Sequence, residues 1–525
     1  METADKSKLI SSDTHLAALI GKNTIFGVAS SAVQVGTRFV MVPVVIFHLG
    51  LGGYGIWAIV MGAAGYMRFG SAGLKSAFQK YVAEATGNGD FRTASTLLST
   101  GSILMLLLSV IGLIPLAIYS RALARISGVP TELLNPAARS IALLAVIMAV
   151  ANFGSVFEAV VMGAHRIDLT RKFTMLTTAG EAIAIIILLK SGYGLVAMAG
   201  TVAISEVIYV LCCFYVSRRV MPEICIRPKY FNVKVFPELI RFAGSYQLVN
   251  FMEVLYAMLL PVIVLKHFGA EIAGVYSIVT RIVVAALMGL DALILPLLSG
   301  GTVLFASGSD DRINRFLKKS FKVTLAITLL PLAFVAAFGP LLVQAWTGQT
   351  GPEFRTAICL CCLAGLFGSV SRVQLILYRA SGKALHDNIR QGFRLGVLLL
   401  LAELGSLTGF YGVLAGLAVA EIMGVFYMFF ALRSAHYSFR ASNLIIDTVR
   451  LSGAALVMIF IGILATAVPT PWNLPEHVTA MIKTMVVSLA YLMAAWPAVW
   501  LTRSISSEER RIMLGLVFPG KEKLL

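Results

Sequence analysis

The apolar residues of this chain gather into long continuous runs separated by short polar segments. Fourteen runs are long enough, or nearly so, to carry an α-helix across about 30 Å of hydrocarbon. They cover 24–48, 54–73, 97–119, 139–163, 173–189 and 194–216, then 239–265, 272–298, 323–346, 356–378, 392–408 and 410–432, with a closing pair at 451–468 and 484–501. One stretch has a different pattern. Leu74, Phe78, Tyr81, Val82 and Ala85 recur at helical spacing with Lys75 and Lys80 between them, which predicts an amphipathic helix lying in the membrane interface.

Of the 525 residues, 58% are hydrophobic and 13% charged, against about 25% charged in an ordinary soluble domain. The pattern therefore predicts an all-α integral membrane protein. Lys and Arg number 43 against 26 acids, an excess that in a soluble protein would suggest nucleic acid but in a membrane protein records topology, so no nucleic-acid partner is expected. With the amino terminus inside, 33 of the 43 fall on cytoplasmic segments, seven on outer loops and three within the membrane. Dropping one helix would exchange the sides of every later segment, so the bias supports fourteen helices and two cytoplasmic ends. The first 22 residues lack the apolar core and small-residue cleavage site of a signal peptide.

No loop is long enough to house a folded domain, and no P-loop, Rossmann fingerprint or hydrolase elbow is present, so the chain does not read as an enzyme. Five of the six cysteines lie inside apolar runs and read as small hydrophobes. The seven histidines are scattered in loops and at helix ends. Neither set predicts a metal site or a cofactor.

The first six helices resemble the second six. His48-Leu-Gly50 with Gly55-Ile-Trp57 aligns without a gap to His267-Phe-Gly269 with Gly274-Val-Tyr276 at a shift of 219, and Gly89 and Gly308 keep that shift. Ala203-Ile-Ser-Glu206 aligns with Ala418-Val-Ala-Glu421, and Arg218 with Arg433, at 215. An even number of helices per repeat relates the halves by an axis along the membrane normal. The expected organisation is a cytoplasmic amino terminus (1–22), an N-lobe (23–216), a basic inter-lobe loop (217–238), a C-lobe (239–433), a trailing helix pair (434–503) and a cytoplasmic tail (504–525). Pro43 and Pro261, late in helices one and seven, are candidate helix kinks.

In the segment Pro43-Val-Val-Ile-Phe-His-Leu-Gly50 through Tyr54-Gly55-Ile-Trp57, the two-by-six repeat and the trailing pair, the chain resembles the polysaccharide flippases of the multidrug/oligosaccharidyl-lipid/polysaccharide (MOP) exporter superfamily. The resemblance implies two six-helix lobes in a V that opens alternately inward and outward. It also implies movement of polyprenyl-pyrophosphate-linked oligosaccharide, for O-antigen, exopolysaccharide or capsule, across the bacterial inner membrane, with a polysaccharide polymerase and glycosyltransferases as partners. The arginine-rich amino terminus expected of peptidoglycan-precursor flippases is missing, and helix one has Arg38 where many bacterial multidrug exporters have an acid. An ion-coupled multidrug exporter of the same fold and a membrane polysaccharide polymerase are the alternatives; the latter would need a large outer loop.

An ionisable group at mid-membrane is costly unless it faces a cavity or a partner. Arg38, Arg281 and Arg372 are the expected ligands of a substrate pyrophosphate, because the guanidinium fork binds phosphate oxygens in pairs. Seven acids share the membrane with them: Glu158, Glu181, Glu206, Glu253, Asp291, Glu403 and Glu421. These are candidates for ion coupling or gating, to H+, to Na+ or to the membrane potential, with Glu181 and Glu253 nearest mid-helix. Glu206 and Glu421 are repeat mates and suggest a polar contact within each lobe. Glu158 and Arg372 fall at matching places with opposite charge, an expected salt bridge across the lobes. The basic inter-lobe loop is expected to meet anionic membrane lipid or a glycosyltransferase.

Overall fold

A computed structural model describes residues 2–69, 72–306, 310–380, 385–434, 441–467 and 475–502; the expected tail 504–525 lies outside these. Among the described residues the chain is all-helical, because hydrocarbon gives a backbone amide no partner outside its own segment. Fourteen α-helices follow in order: α1 (Glu2–Phe69), α2 (Ala72–Asn88), α3 (Phe91–Ile118), α4 (Ser120–Ile126), α5 (Thr131–Gly163), α6 (Ile167–Lys190), α7 (Leu195–Val220), α8 (Phe236–Ala306), α9 (Asp310–Thr347), α10 (Glu353–Ala380), α11 (Leu385–Ser406), α12 (Phe410–Ser434), α13 (Ala441–Thr466) and α14 (Glu476–Leu501).

Eleven of these are long and apolar enough to cross a membrane. The fourteen predicted runs and the eleven spans differ at three places. Helices α1 and α8 each contain two runs, in apolar stretches of 41 and 40 residues where a single crossing needs about 20. Each is broken at a glycine in the left-handed region, Gly50 at φ 72° and Gly269 at φ 83°. The third difference is α11, whose first half carries Asp387, Arg390 and Arg394.

The break in α1 and α8 is the repeat made visible. Gly50 and Gly269 are 219 residues apart, and only glycine adopts that φ without strain. Pro43 and Pro261 stand within the helical stretches that precede these breaks, and the non-helical backbone is at the glycines. Beyond the breaks the two elements cross closely. A Cβ on Gly55 would collide with the Ala270 carbonyl oxygen, and a Cβ on Gly274 with the Leu51 carbonyl oxygen. These two contacts are exchanged by the 219-residue shift, so one repeat-related pair of glycines lets two helices meet backbone to backbone.

Packing divides the chain into two compact units, Met1–Gly274 and Val275–Leu525. In the first, α2 buries Leu74, Phe78, Tyr81, Val82 and Ala85 against Leu98, Met105, Val156 and Val160 of α3 and α5. The amphipathic pattern is thus satisfied by protein, where the sequence suggested lipid, since α3 and α5 offer it a matching apolar surface. The second unit has a cluster around Leu317, Phe321, Val370 and Met428, and another in which α13 and α14 close on Phe338. There the Tyr491 hydroxyl donates to the Leu330 carbonyl at 2.8 Å, tying the trailing pair to α9.

The basic segment after α7 is fixed to the first unit. Three hydroxyls on α3 take its backbone amides: Cys225 N–H to Ser95 Oγ at 3.0 Å, Arg227 N–H to Ser99 Oγ at 3.1 Å and Asn232 N–H to Thr100 Oγ1 at 3.0 Å. Met221 and Ile224 are buried in the same cluster as α2. Extended backbone must find partners somewhere. Here α3 supplies them.

Two outcomes follow. Gly274→Val should cost roughly 1–3 kcal/mol, because the obstruction is backbone that cannot rotate away, read as a lower thermal midpoint of the detergent-solubilised protein. Ser99→Ala should cost about 1 kcal/mol and hasten limited tryptic cleavage after Lys229, because the segment loses an anchor.

Candidate functional site

Two polar clusters form inside the helical packing, one in each unit. In the second unit, residues 387, 390, 391 and 394 lie at i, i+3, i+4 and i+7 along α11 and so share a face. That face is turned inward, toward α10 and α12, and all four residues are buried. The Arg394 guanidinium donates to Glu421 of α12 at 3.3 Å. Arg390 donates to Ser371 of α10 at 3.2 Å and stands 3.7 Å from Asp387. The Gln391 side chain is 1% exposed, and neither its amide oxygen nor its nitrogen makes a hydrogen bond to protein. Two cations and two carboxylates therefore share a nearly dry interior.

In the first unit four helices contribute. Lys75 of α2 is 2.6 Å from Glu158 of α5. Tyr209 of α7 is a close neighbour of Glu158 and of Thr174 of α6. Aromatic rings flank the site, with Phe157 edge-on to Phe214 at 4.9 Å.

The residues expected from the sequence are spread across both units. Arg38 is exposed on α1, while Arg281 on α8 and Arg372 on α10 are half-buried. Among the acids, Glu181 on α6 and Glu206 on α7 are half-buried, and Glu253 on α8 and Glu403 on α11 are exposed. The side chain of Asp291 lies outside the described residues. Glu158 is held by Lys75, and Glu421 by Arg394. Its repeat mate Glu206 has no counterpart of that arginine, because the positions matching Arg394 are Met175 or Ala179 at the two shifts.

Sequence reasoning did not single out Arg390 or Arg394 as site residues, and the structure buries both within α11. A signal for the first of them was present. Asp168-Leu-Thr-Arg171 and Asp387-Asn-Ile-Arg390 match at the 219-residue shift, both opening a helix and both with a buried aspartate. Asp168 takes Arg166 Nε at 3.1 Å, so both aspartates lie close to an arginine near a helix start.

A family model described as polysaccharide biosynthesis protein matches residues 20–299, more than half of the chain. The chain belongs to the polysaccharide biosynthesis protein family. A curated relative, the uncharacterized membrane protein EpsK of Bacillus subtilis (strain 168), is 22% identical over 326 residues, 60% of this chain; the match spans about three fifths, 62%, of EpsK's length. The solved structure of lipid II flippase MurJ in an inward closed conformation superposes with TM-score 0.64 at 15% identity, over 91% of this chain and 98% of MurJ. An inward-facing multidrug resistance MATE family transporter of the MOP superfamily gives 0.62 at 17% identity, over 79% of this chain and 96% of that one. The likeness to both structures is one of fold.

For this polysaccharide biosynthesis family member, the buried pair on α11 and α12 makes a definite energetic statement. A buried ion pair adds little net stability, but removing one partner strands the other charge in low dielectric. Arg394→Met or Glu421→Met alone should cost about 3–5 kcal/mol. The double variant should lose less than either single, measured as thermal midpoints in one detergent; additive losses would argue against a coupled pair.

Proposed function

We propose that this family member is a flippase carrying polyprenyl-pyrophosphate-linked oligosaccharide from the cytoplasmic to the outer leaflet of the bacterial inner membrane by alternating access. The observation that carries this reading is the polysaccharide biosynthesis family match over 20–299 on a transporter fold. The task explains the architecture. A pyrophosphate and a chain of hydroxyls cannot cross hydrocarbon without large desolvation cost, while the polyprenyl tail is at home there. A transporter must therefore shelter the head and leave the tail in lipid.

In this reading the chain crosses the membrane fourteen times with both ends cytoplasmic, in keeping with the Lys and Arg distribution. Arg38, Arg281 and Arg372 take the pyrophosphate, and Glu181, Glu253 and Asp291 lead the acids that couple movement to H+, Na+ or the membrane potential. The polymerase and the glycosyltransferases that make and extend the glycan are its working partners.

A deletion strain should accumulate lipid-linked oligosaccharide on the cytoplasmic leaflet, read by labelling the sugar on sealed vesicles of each orientation. An unchanged leaflet distribution would sink the proposal. In proteoliposomes, Arg38→Ala, Arg281→Ala or Arg372→Ala should slow translocation by about tenfold or more, the loss expected for a charge-assisted contact. Undiminished flipping in all three would remove the arginines from the headgroup role.

A further inference from the structure

Lys75 has no place in the reading above, yet its surroundings are built with care. Its backbone belongs to α2, whose apolar face is locked into the core of the first unit by Leu74, Phe78 and Val82. Only the flexible stem and the ammonium are left to move. That ammonium lies 2.6 Å from the Glu158 carboxylate, and the two side chains are 31% and 15% exposed. The contact is thus partly exposed at the edge of the packing, where a competing ion can reach the ammonium and displace its partner.

The two partners are not equally dependent on each other. Glu158 has a second donor within reach in Tyr209, itself close to Thr174. Lys75 has only this carboxylate as its ion-pair partner among the described residues. If Lys75 turned away, Glu158 could turn to the nearby Tyr209 hydroxyl; if another anion arrived, Lys75 would exchange one anion for another. The ammonium is a compact point charge suited to phosphate oxygens. By the Lys and Arg bias it also lies toward the cytoplasmic side, where a substrate made in the cytoplasm must load.

We infer that Lys75 is a loading contact for the substrate's pyrophosphate and that Glu158 is its built-in counter-anion, occupying the ammonium in the empty transporter and swinging to Tyr209 when the diphosphate arrives. The inference rests on the flippase reading for its physiological ligand. Its chemistry is narrower: a diphosphate outcompetes one carboxylate at Lys75. The carboxylate makes the vacant site selective, because a singly charged anion gains little by displacing it.

The test is direct titration of inorganic pyrophosphate into the full-length protein in phosphatidylcholine nanodiscs, which supply no competing anionic lipid. Glu158→Gln keeps the shape and an acceptor for Tyr209, and should tighten binding by roughly two- to fivefold, the worth of one exposed ion pair removed. Lys75→Gln should weaken it by about tenfold or more. The double variant should bind no better than Lys75→Gln alone. A merely structural bridge between α2 and α5 predicts a lowered thermal midpoint with no gain of affinity in Glu158→Gln, and that result overturns the proposal. So does equal competition by phosphatidylglycerol added to the nanodisc, which would assign the ammonium to bulk lipid. Tightening by Glu158→Gln without any oligosaccharide translocation would leave this exchange standing and bring down the flippase reading. Intact translocation with unaltered pyrophosphate affinity in both variants would do the reverse.

Discussion

Hydrocarbon gives a peptide group nothing to bond to, and most of this structure is a consequence. Each run that enters it must close its own hydrogen bonds as a helix. Departures from helix within these long elements fall where glycine relieves the strain, as at Gly50 and Gly269. The close crossing at Gly55 and Gly274 follows from the same economy of space: where helices must meet at their bends, side chains are removed so that backbones can touch. Even the basic segment after α7 obeys the rule, its amides taken by the Ser95, Ser99 and Thr100 hydroxyls of α3.

The same constraint sorts the charges. An arginine in a dry interior needs a carboxylate within reach, and Arg394 with Glu421 meets that need between α11 and α12. Lys75 with Glu158 is a pair of another kind, set at a wetter edge where its members can change partners. One pair ties α11 to α12, and the other leaves an ion exchangeable.

Duplication supplied the scaffold and divergence supplied the chemistry. The glycine geometry is retained in both repeats, because a bend has only one inexpensive solution. Charged positions were free to differ. Glu206 and Glu421 correspond, and Glu421 has the buried Arg394 at its side where the first repeat has Met175 or Ala179; Glu158 corresponds to Arg372 with its sign reversed. The two repeats of this polysaccharide biosynthesis family member are therefore alike at their bends and unlike in charge.

What the amino-acid sequence determined by itself was everything local: the helical class, the apolar runs, the glycines of the repeat and the family resemblance. Burial of twenty consecutive side chains is a property of one segment, so it is written in that segment. Pairing is not local. Nothing near Glu158 names Lys75, and nothing in 387–394 names the residues of α10 and α12 that are laid against it. Apolar α2 residues likewise could not reveal whether lipid or α3 and α5 would cover them. Those outcomes depend on which distant helix stands opposite at a few ångströms, and only the tertiary structure decides that.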